Sequence, residues 1–517
     1  MRRWTALALL GAGAGLLALP ACGGKTDETT RAAGITPAGA VAFFSVNLAP
    51  SIEQQRNLQG LVKAFPGAAE EVQGDFEDAR DELLSEVAEE AGLDYAADVK
   101  PWLGNEVAVA LLPLAEGESV AGGGDPPVVV MFETDDEAAA TAALEKAAAE
   151  GNFDGQSRTI DDFLVIVSHD DEAVEGASLD QVEAAAADDG SGLAENDKFT
   201  SVIDDLAGDR LLLGWADGPG LANLFAGEDD LPDGFLFGLP GGAGRGGPAA
   251  ADLHAEKSAL VVRGVVMAPE EGTGGGKPSL TAGLPAEILG ALTLFDIGDG
   301  IRQAFSAFTG FGGGPDLDDL ARQTGIDIER DVLSWMEGEL VVVAGPVRAG
   351  QEFPDLAVVI EPTDRAKAEA GLDKLAGLLD GEGFSLERRN IAGASAYVVP
   401  VEIAEGIQPA MALFEDRFVL ASTTGFLEAL ATDASPSFGD SEAYESVIGE
   451  GSRDGTSFQV VVRLDPIREA IEAALSPSER ADYERKAKAN VEPLDTFGMF
   501  ARRDGDRYRF EMRLTVD

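Results

Sequence analysis

The sequence predicts an α+β protein of two tandem, internally duplicated lobes, with mainly antiparallel sheets flanked by helices. The first observation behind this is a repeat. Gly92-Leu93-Asp94 leads to Val99, Trp102, Glu106 and Pro113, while Gly325-Ile326-Asp327 leads to Val332, Trp335, Glu339 and Pro346, every pair offset by 233 positions. The second is order: strand-like runs such as 106–114 and 128–133 follow each other directly, which argues against a doubly wound parallel sheet. The third is size: 517 residues with 45% apolar content are enough for more than one core.

The N-terminus reads as an export signal over residues 1–21. Arg2 and Arg3 form a positive start, and Trp4–Leu19 is an apolar run too short for a membrane-spanning helix. Leu19-Pro20-Ala21-Cys22 follows and resembles the lipobox of bacterial lipoproteins, with the only cysteine of the chain at the required place. That resemblance implies cleavage between Ala21 and Cys22 and a diacylglyceryl group on the Cys22 thiol. The alternative is an ordinary secretory signal with a spare thiol. Residues 22–36 are polar, small and aperiodic at their start and read as a flexible tether.

The first copy is expected over residues 37–270. Val72, Phe76, Ala79, Leu83 and Val87 recur at helical steps. Glu106–Leu114 is a valine-rich strand. Val128–Glu133 is a further strand, and Thr134 with Glu137 reads as a capping box opening the next helix. Ala259–Ala268 closes the copy as a strand, and Gly241–Pro248 reads as a surface loop. A glycine-rich linker, 271–283, separates it from the second copy, 284–517. There Glu339–Val347 and Leu356–Glu361 repeat the strands, the second at an offset of 228, and Ser446-Val447-Ile448 repeats Ser201-Val202-Ile203 at 245. Arg503-Asp504-Gly505-Asp506 joins 497–502 to 507–516 as a hairpin.

The opening Pro37–Leu48 and the stretch Val99–Glu106 resemble an uncharacterised bacterial group known as domain of unknown function 3352. The resemblance implies an exported or membrane-anchored envelope protein and supplies no catalytic residues. The second copy is a looser match, because its glycine shifts in Trp335-Met336-Glu337-Gly338-Glu339.

Charge narrows the function. Lys plus Arg number 38 and Asp plus Glu 93, so the net charge is −55, and loss of Arg2 and Arg3 with the signal makes it −57. A nucleic-acid partner is not expected. The acid excess reads as a solvated surface, with calcium binding or a basic partner as alternatives. Two histidines and one cysteine exclude a multi-histidine or cysteine-rich metal centre, and no metal or other cofactor is expected. Gly272–Ser279 fails the phosphate-loop pattern at Glu271 and Pro278. His169 beside Asp170-Asp171-Glu172 reads as a turn histidine, with a His–carboxylate pair as the alternative; His254 lies near a stretch without structure signals.

Asn47, Asp217, Asp296 and Asp465 each end a strand before a helix and read as helix caps. Trp102 and Trp335, with Glu106 and Glu339, read as a structural mark of the repeat, with a ligand pocket as the alternative. Residues 480–513 carry nine cations and seven acids, expected as cross-strand ion pairs or a face for an acidic partner. These features point to a lipid-anchored protein on the extracytoplasmic face of the cell membrane, with a non-enzymatic binding or scaffolding role and an envelope protein as its partner. The alternatives are a carboxylate-dependent hydrolase of envelope glycans or peptides, and a calcium-stabilised surface protein.

Overall fold

The computed structural model describes residues 30–66, 76–114, 119–120, 124–153, 155–187, 191–206, 208–224, 247–267, 275–295, 327–347, 353–381, 385–402, 406–449 and 454–517. The first copy contributes strands β1 (Ala42–Asn47), β2 (Leu103–Leu111), β3 (Val128–Thr134), β4 (Gln156–Ile160), β5 (Phe163–Ser168), β6 (Leu212–Asp217), β7 (Pro248–Glu256) and β8 (Ala259–Met267). The second contributes β9 (Gly290–Leu294), β10 (Leu340–Ala344), β11 (Leu356–Ile360), β12 (Glu387–Ile391), β13 (Ala394–Val398), β14 (Ala410–Leu413), β15 (Phe418–Ala421), β16 (Thr456–Arg463), β17 (Leu494–Asp504) and β18 (Arg507–Val516).

All of these strands join one antiparallel sheet. Its spatial order is β4-β5-β3-β2-β1-β6-β7-β8-β18-β17-β16-β9-β10-β11-β15-β14-β13-β12. The two copies therefore share a sheet, and the last strand of one pairs with the last strand of the other. The β8–β18 ladder runs from Met267 opposite Arg507 to Ala259 opposite Thr515, with Arg263 facing Glu511 near its middle. Outwards from this ladder the two halves match strand for strand, β7 with β17, β6 with β16, β1 with β9, β2 with β10 and β3 with β11, which places a pseudo-two-fold axis through it. The second copy adds a hairpin beyond β11, so its outer edge is β12.

Helices cover both faces. In the first copy they are α1 (Arg31–Ile35), α2 (Ile52–Ala64), α3 (Phe76–Glu90), α4 (Glu137–Ala149), α5 (Glu172–Ala187), α6 (Asp197–Ile203) and α7 (Gly218–Leu224). In the second they are α8 (Ser279–Gly283), α9 (Arg365–Gly381), α10 (Thr424–Ala429), α11 (Glu442–Val447), α12 (Leu464–Ala474), α13 (Pro477–Lys486) and α14 (Lys488–Val491). Successive strand residues point to opposite faces. In β3, Val129 and Met131 pack with α1, α5 and α6, while Val130 packs with α3, α4 and Trp102 on the other side. This is why the strand reads as an unbroken apolar run. The second copy repeats the arrangement, with Val341, Val343 and Val359 on one face and Trp335, Ile360 and α9 on the other.

Several boundaries differ from the sequence reading. Residues 31–36 are not tether: α1 is folded in, with Ala32 and Ala33 fully buried. Part of the expected linker is likewise structured, since α8 lies within it and Gly276 bridges to Thr456. Five residues each, Arg31-Ala32-Ala33-Gly34-Ile35 and Ser279-Leu280-Thr281-Ala282-Gly283, are too few to show a helical period, and distant residues decide that they are helices. Strand β2 starts at Leu103, before the expected Glu106, with an irregular register between Leu103 and Val107. The box at Thr134 is displaced: Asp136 caps α4 by accepting the Ala139 amide, and Thr134 Oγ1 accepts the Asp136 amide. His254 stands in β7, a strand that the sequence reading did not expect. Val72, most of 241–248 and Asp296 lie outside the described residues.

Residues 30–270 expressed alone leave β8 as an unpaired edge and lose every ion pair across the ladder. That fragment is expected to self-associate or precipitate. Analytical ultracentrifugation showing a stable folded monomer would count against the shared sheet.

Candidate functional site

The repeated Trp–Glu pair builds the same device twice. In each copy a single π-helical turn, Tyr95–Val99 or Ile328–Val332, precedes the tryptophan. The Trp102 indole N–H donates to the Asp98 carbonyl at 2.6 Å, and Trp335 donates to the Asp331 carbonyl at 2.9 Å. The aspartates beside these carbonyls take a lysine from the facing helix, Lys146 on Asp98 and Lys374 on Asp331. Each indole also meets an aromatic ring edge-on, Phe132 at 6.1 Å and Phe418 at 5.7 Å between centroids. Both tryptophans are buried and plug the core at a turn entering a strand.

The glutamate points to the other face and holds the start of a short helix. Glu106 accepts the Ala32 amide of α1 at 3.1 Å. Glu339 accepts the Leu280 and Thr281 amides of α8 at 2.7 and 2.8 Å, and the Thr281 hydroxyl at 2.7 Å. These amides have no partner within their own helix, and a carboxylate matches the positive end of the helix. Burial pushes Glu106 up to about 7; the Ala32 amide works against that shift and the Glu133 charge adds to it. Burial also raises Glu339, against the bonds from Thr281 and Leu280.

Of the four expected caps, Asn47 serves otherwise. Its Oδ1 accepts the Ala49 amide and its amide group donates to the Arg210 carbonyl, while Ser51 caps α2. Asp217 precedes α7, but its carboxylate takes the Lys198 ammonium at 2.6 Å. Asp465 lies inside the first turn of α12 and pairs with Arg468. There are nearer competitors for each helix start, or nearer cations for each carboxylate. Asp296, Ala21 and Cys22 lie outside the described residues.

A second cluster lies on the ladder between the copies. Arg513 of β18 forks onto Glu256 of β7 at 2.8 and 3.1 Å, and Arg263 of β8 meets Glu511 of β18 at 3.1 Å. Arg507 and Arg509 of β18 both reach Asp205. Three of the nine cations of the C-terminal zone, Arg507, Arg509 and Arg513, thus reach acids of the first copy. His254 lies in the same seam, 6% exposed, with Nδ1 2.6 Å from Asp252 Oδ1. Burial opposes its charge, but Asp252 and Glu256 outweigh burial and hold its pKa at about 9. The His254 contact and Arg513 together hold Glu256 down at about 2. His169 is a turn histidine: Nδ1 accepts the Asp171 amide and Nε2 lies 2.7 Å from the Asp125 carbonyl.

Asp465, Asp495 and Asp517 bring one oxygen each within 4.8 Å of one another. Arg468 on Asp465 and the Thr515 hydroxyl on Asp495 already engage two of them.

The opening that stands apart chemically is a groove of about 560 Å³ between α12 and the sheet of the second copy. Leu292, Val342, Leu356, Val460 and Val462 form its floor, and Ile467, Ala470, Ile471 and Ala474 form its helical wall. Leu356 and Ile471 are 51% and 53% exposed. The first copy closes the same place with its own side chains. The ladders align Ala42 with Gly290 and Ala216 with Val462, and the helices that follow, α7 and α12, align Leu221 with Ile467 and Leu224 with Ala470. There Leu221 and Leu224 are buried against Val41, Ala42 and Leu111. The second copy carries Gly290, Ala344 and Ala470 where the first has Ala42, Leu111 and Leu224, which trims the seat at three positions, while Leu289, Val460 and Val462 in place of Val41, Gly214 and Ala216 go the other way; the opening lies where Leu111 and Leu224 are lost. Sequence reading missed these residues; their signal was the loss of side-chain volume at aligned positions.

Two stretches of the chain, residues 4–181 and 316–502, match the family model described as a protein of unknown function (DUF3352). The chain belongs to this family. The match covers most of the chain and bears out the resemblance seen at Pro37–Leu48 and Val99–Glu106, so Trp102 and Glu106 lie within the DUF3352 region. No curated protein shows a significant match. One solved structure, titled "Structure of crystal form I of TP0453", is similar over 48% of this chain and 82% of that chain, at 9% identity and a TM-score of 0.20. A likeness that weak has no bearing on fold or function. Among the described residues no helix is long and apolar enough to cross a membrane.

Glu339→Ala strands two buried amides and a hydroxyl, and is expected to cost about 3 kcal/mol of stability; urea denaturation measures it. His254 holds its proton more tightly when folded, at about 9 against an ordinary 6.5. Its contribution is therefore complete below about pH 6.5 and lost as the pH rises through about 9. His254→Gln is expected to flatten the fall in melting temperature across that window, and an unchanged slope would refute the assignment.

Proposed function

We propose that this is a non-enzymatic binding or scaffolding protein of the cell envelope, moored on the extracytoplasmic face by a diacylglyceryl group on Cys22. The observation that carries the binding reading is the open apolar groove of the second copy, in a chain where one residue in four is charged. The groups with altered acid strength support the same reading. Glu106 and Glu339 each hold the start of a short helix, and His254 is locked between Asp252 and Glu256. A glycosidase needs two carboxyls facing one substrate; Glu106 and Glu339 sit in different copies, and the near neighbour of Glu106, Glu133, is engaged by Arg31 and the Asn105 amide. An envelope protein as neighbour is part of the proposal.

The position of α1 supports a short mooring. Thr30 precedes α1 and is eight residues beyond Cys22, so the folded body starts within about 30 Å of the lipid. Two acyl chains hold a protein stably at a bilayer, because each buried methylene contributes about 0.8 kcal/mol. The negative body repels anionic headgroups, but only within about 8 Å at physiological salt.

Cys22→Ser is expected to move the protein from the membrane fraction to the soluble extracytoplasmic fraction. Retention of that variant on membranes would overturn the lipid mooring, and cross-linking in intact cells would identify the neighbour.

A further inference from the structure

We infer that the groove under α12 takes a single acyl tail of an envelope lipid. The inference rests on the binding reading above and names the ligand class for that site.

The lining sets the chemistry. Every side chain in it is hydrocarbon or absent, so no side chain there can hydrogen-bond a buried polar group, and burying one carries a largely uncompensated cost. The occupant must be hydrocarbon along its buried length. The volume sets the size class: at about 560 Å³ the groove falls within the range of small-molecule sites, about 300–1,000 Å³. A flexible unbranched tail fits a narrow slot between a helix and a sheet. The floor is the face of central strands, paired on both sides, so an added strand finds no free backbone there.

The duplication supplies an independent observation. One fold closes this seat in the first copy with Leu224 and Leu111, and opens it in the second by placing Ala470 and Ala344 at those positions. Trimming a packed core leaves a void that costs stability unless something fills it. The opening is wide enough for entry, because Ile471 on the helix and Leu356 on the sheet are each about half exposed at its rim.

The test uses the purified full-length mature chain and cis-parinaric acid, a fluorescent fatty acid, with palmitate as competitor. Saturable binding of one equivalent, displaced by palmitate, is expected. The double variant A344L/A470L rebuilds the first copy's packing and is expected to weaken binding at least tenfold while keeping or raising the melting temperature. Ile471→Glu, at an exposed rim position, is expected to weaken it as well, and Ile52→Glu, on the first copy, to leave it unchanged. Absence of binding by the folded wild type, or equal binding by A344L/A470L, would overturn the inference. So would a concentration-dependent dimer that Ile471→Glu returns to monomer, since a second copy would then be the occupant. Mooring through Cys22 is read separately by fractionation, so a membrane-held protein without tail binding loses this inference alone.

Discussion

The architecture depends on the ladder between β8 and β18. Without it each copy is a sheet with an open edge; with it the two become one sheet. An acidic chain of this charge meets an obstacle there, because two negative halves repel at close range. The chain answers by concentrating arginines on the joining strand. Arg507, Arg509 and Arg513 reach Asp205 and Glu256 in the other copy, and Arg263 returns the favour to Glu511. These contacts are partly buried, so salt screens them less than it screens the outer surface. The seam is therefore held by backbone hydrogen bonds and opposite charge together.

Within each copy the glutamate of the repeat does a comparable job at shorter range. It lies on the second strand, yet it fixes the start of a helix far away in sequence: Glu106 binds Ala32, and Glu339 binds Leu280 and Thr281. The tryptophan four residues earlier anchors the opposite face. Together they tie helix, strand and both core layers at one point, which explains why this pair stands out in both halves of a diverged duplication. The cost of burying a carboxyl shows in the raised Glu106 and Glu339 acid strengths.

Much of the fold was legible in the residues, and the reasons are local. The 233-residue offset exposed the duplication, Asp504-Gly505 gave the final hairpin, and valine-rich runs gave the strands. What escaped was decided at long range. Arg31–Ile35 and Ser279–Gly283 have no pattern of their own and become helices against a distant glutamate. The strand holding His254 was not expected because Asp252, His254 and Glu256 interrupt its apolar run, although Leu253 and Ala255 on the other side are buried too. Ser51 and Asp136 displaced the caps expected at Asn47 and Thr134 because they sit closer to the first free amides. The groove depends on which sheet face stays uncovered, and a strand's own residues do not state that.

The continuity of the sheet also governs stiffness. Tandem copies joined by a linker swing like beads on a string. Here, bending at the point of duplication would tear a ladder nine residue pairs long. The eighteen described strands lie side by side in one sheet, about 80 Å at the usual interstrand spacing. The doubled molecule is thus joined by paired backbone where a tandem repeat would have only a linker.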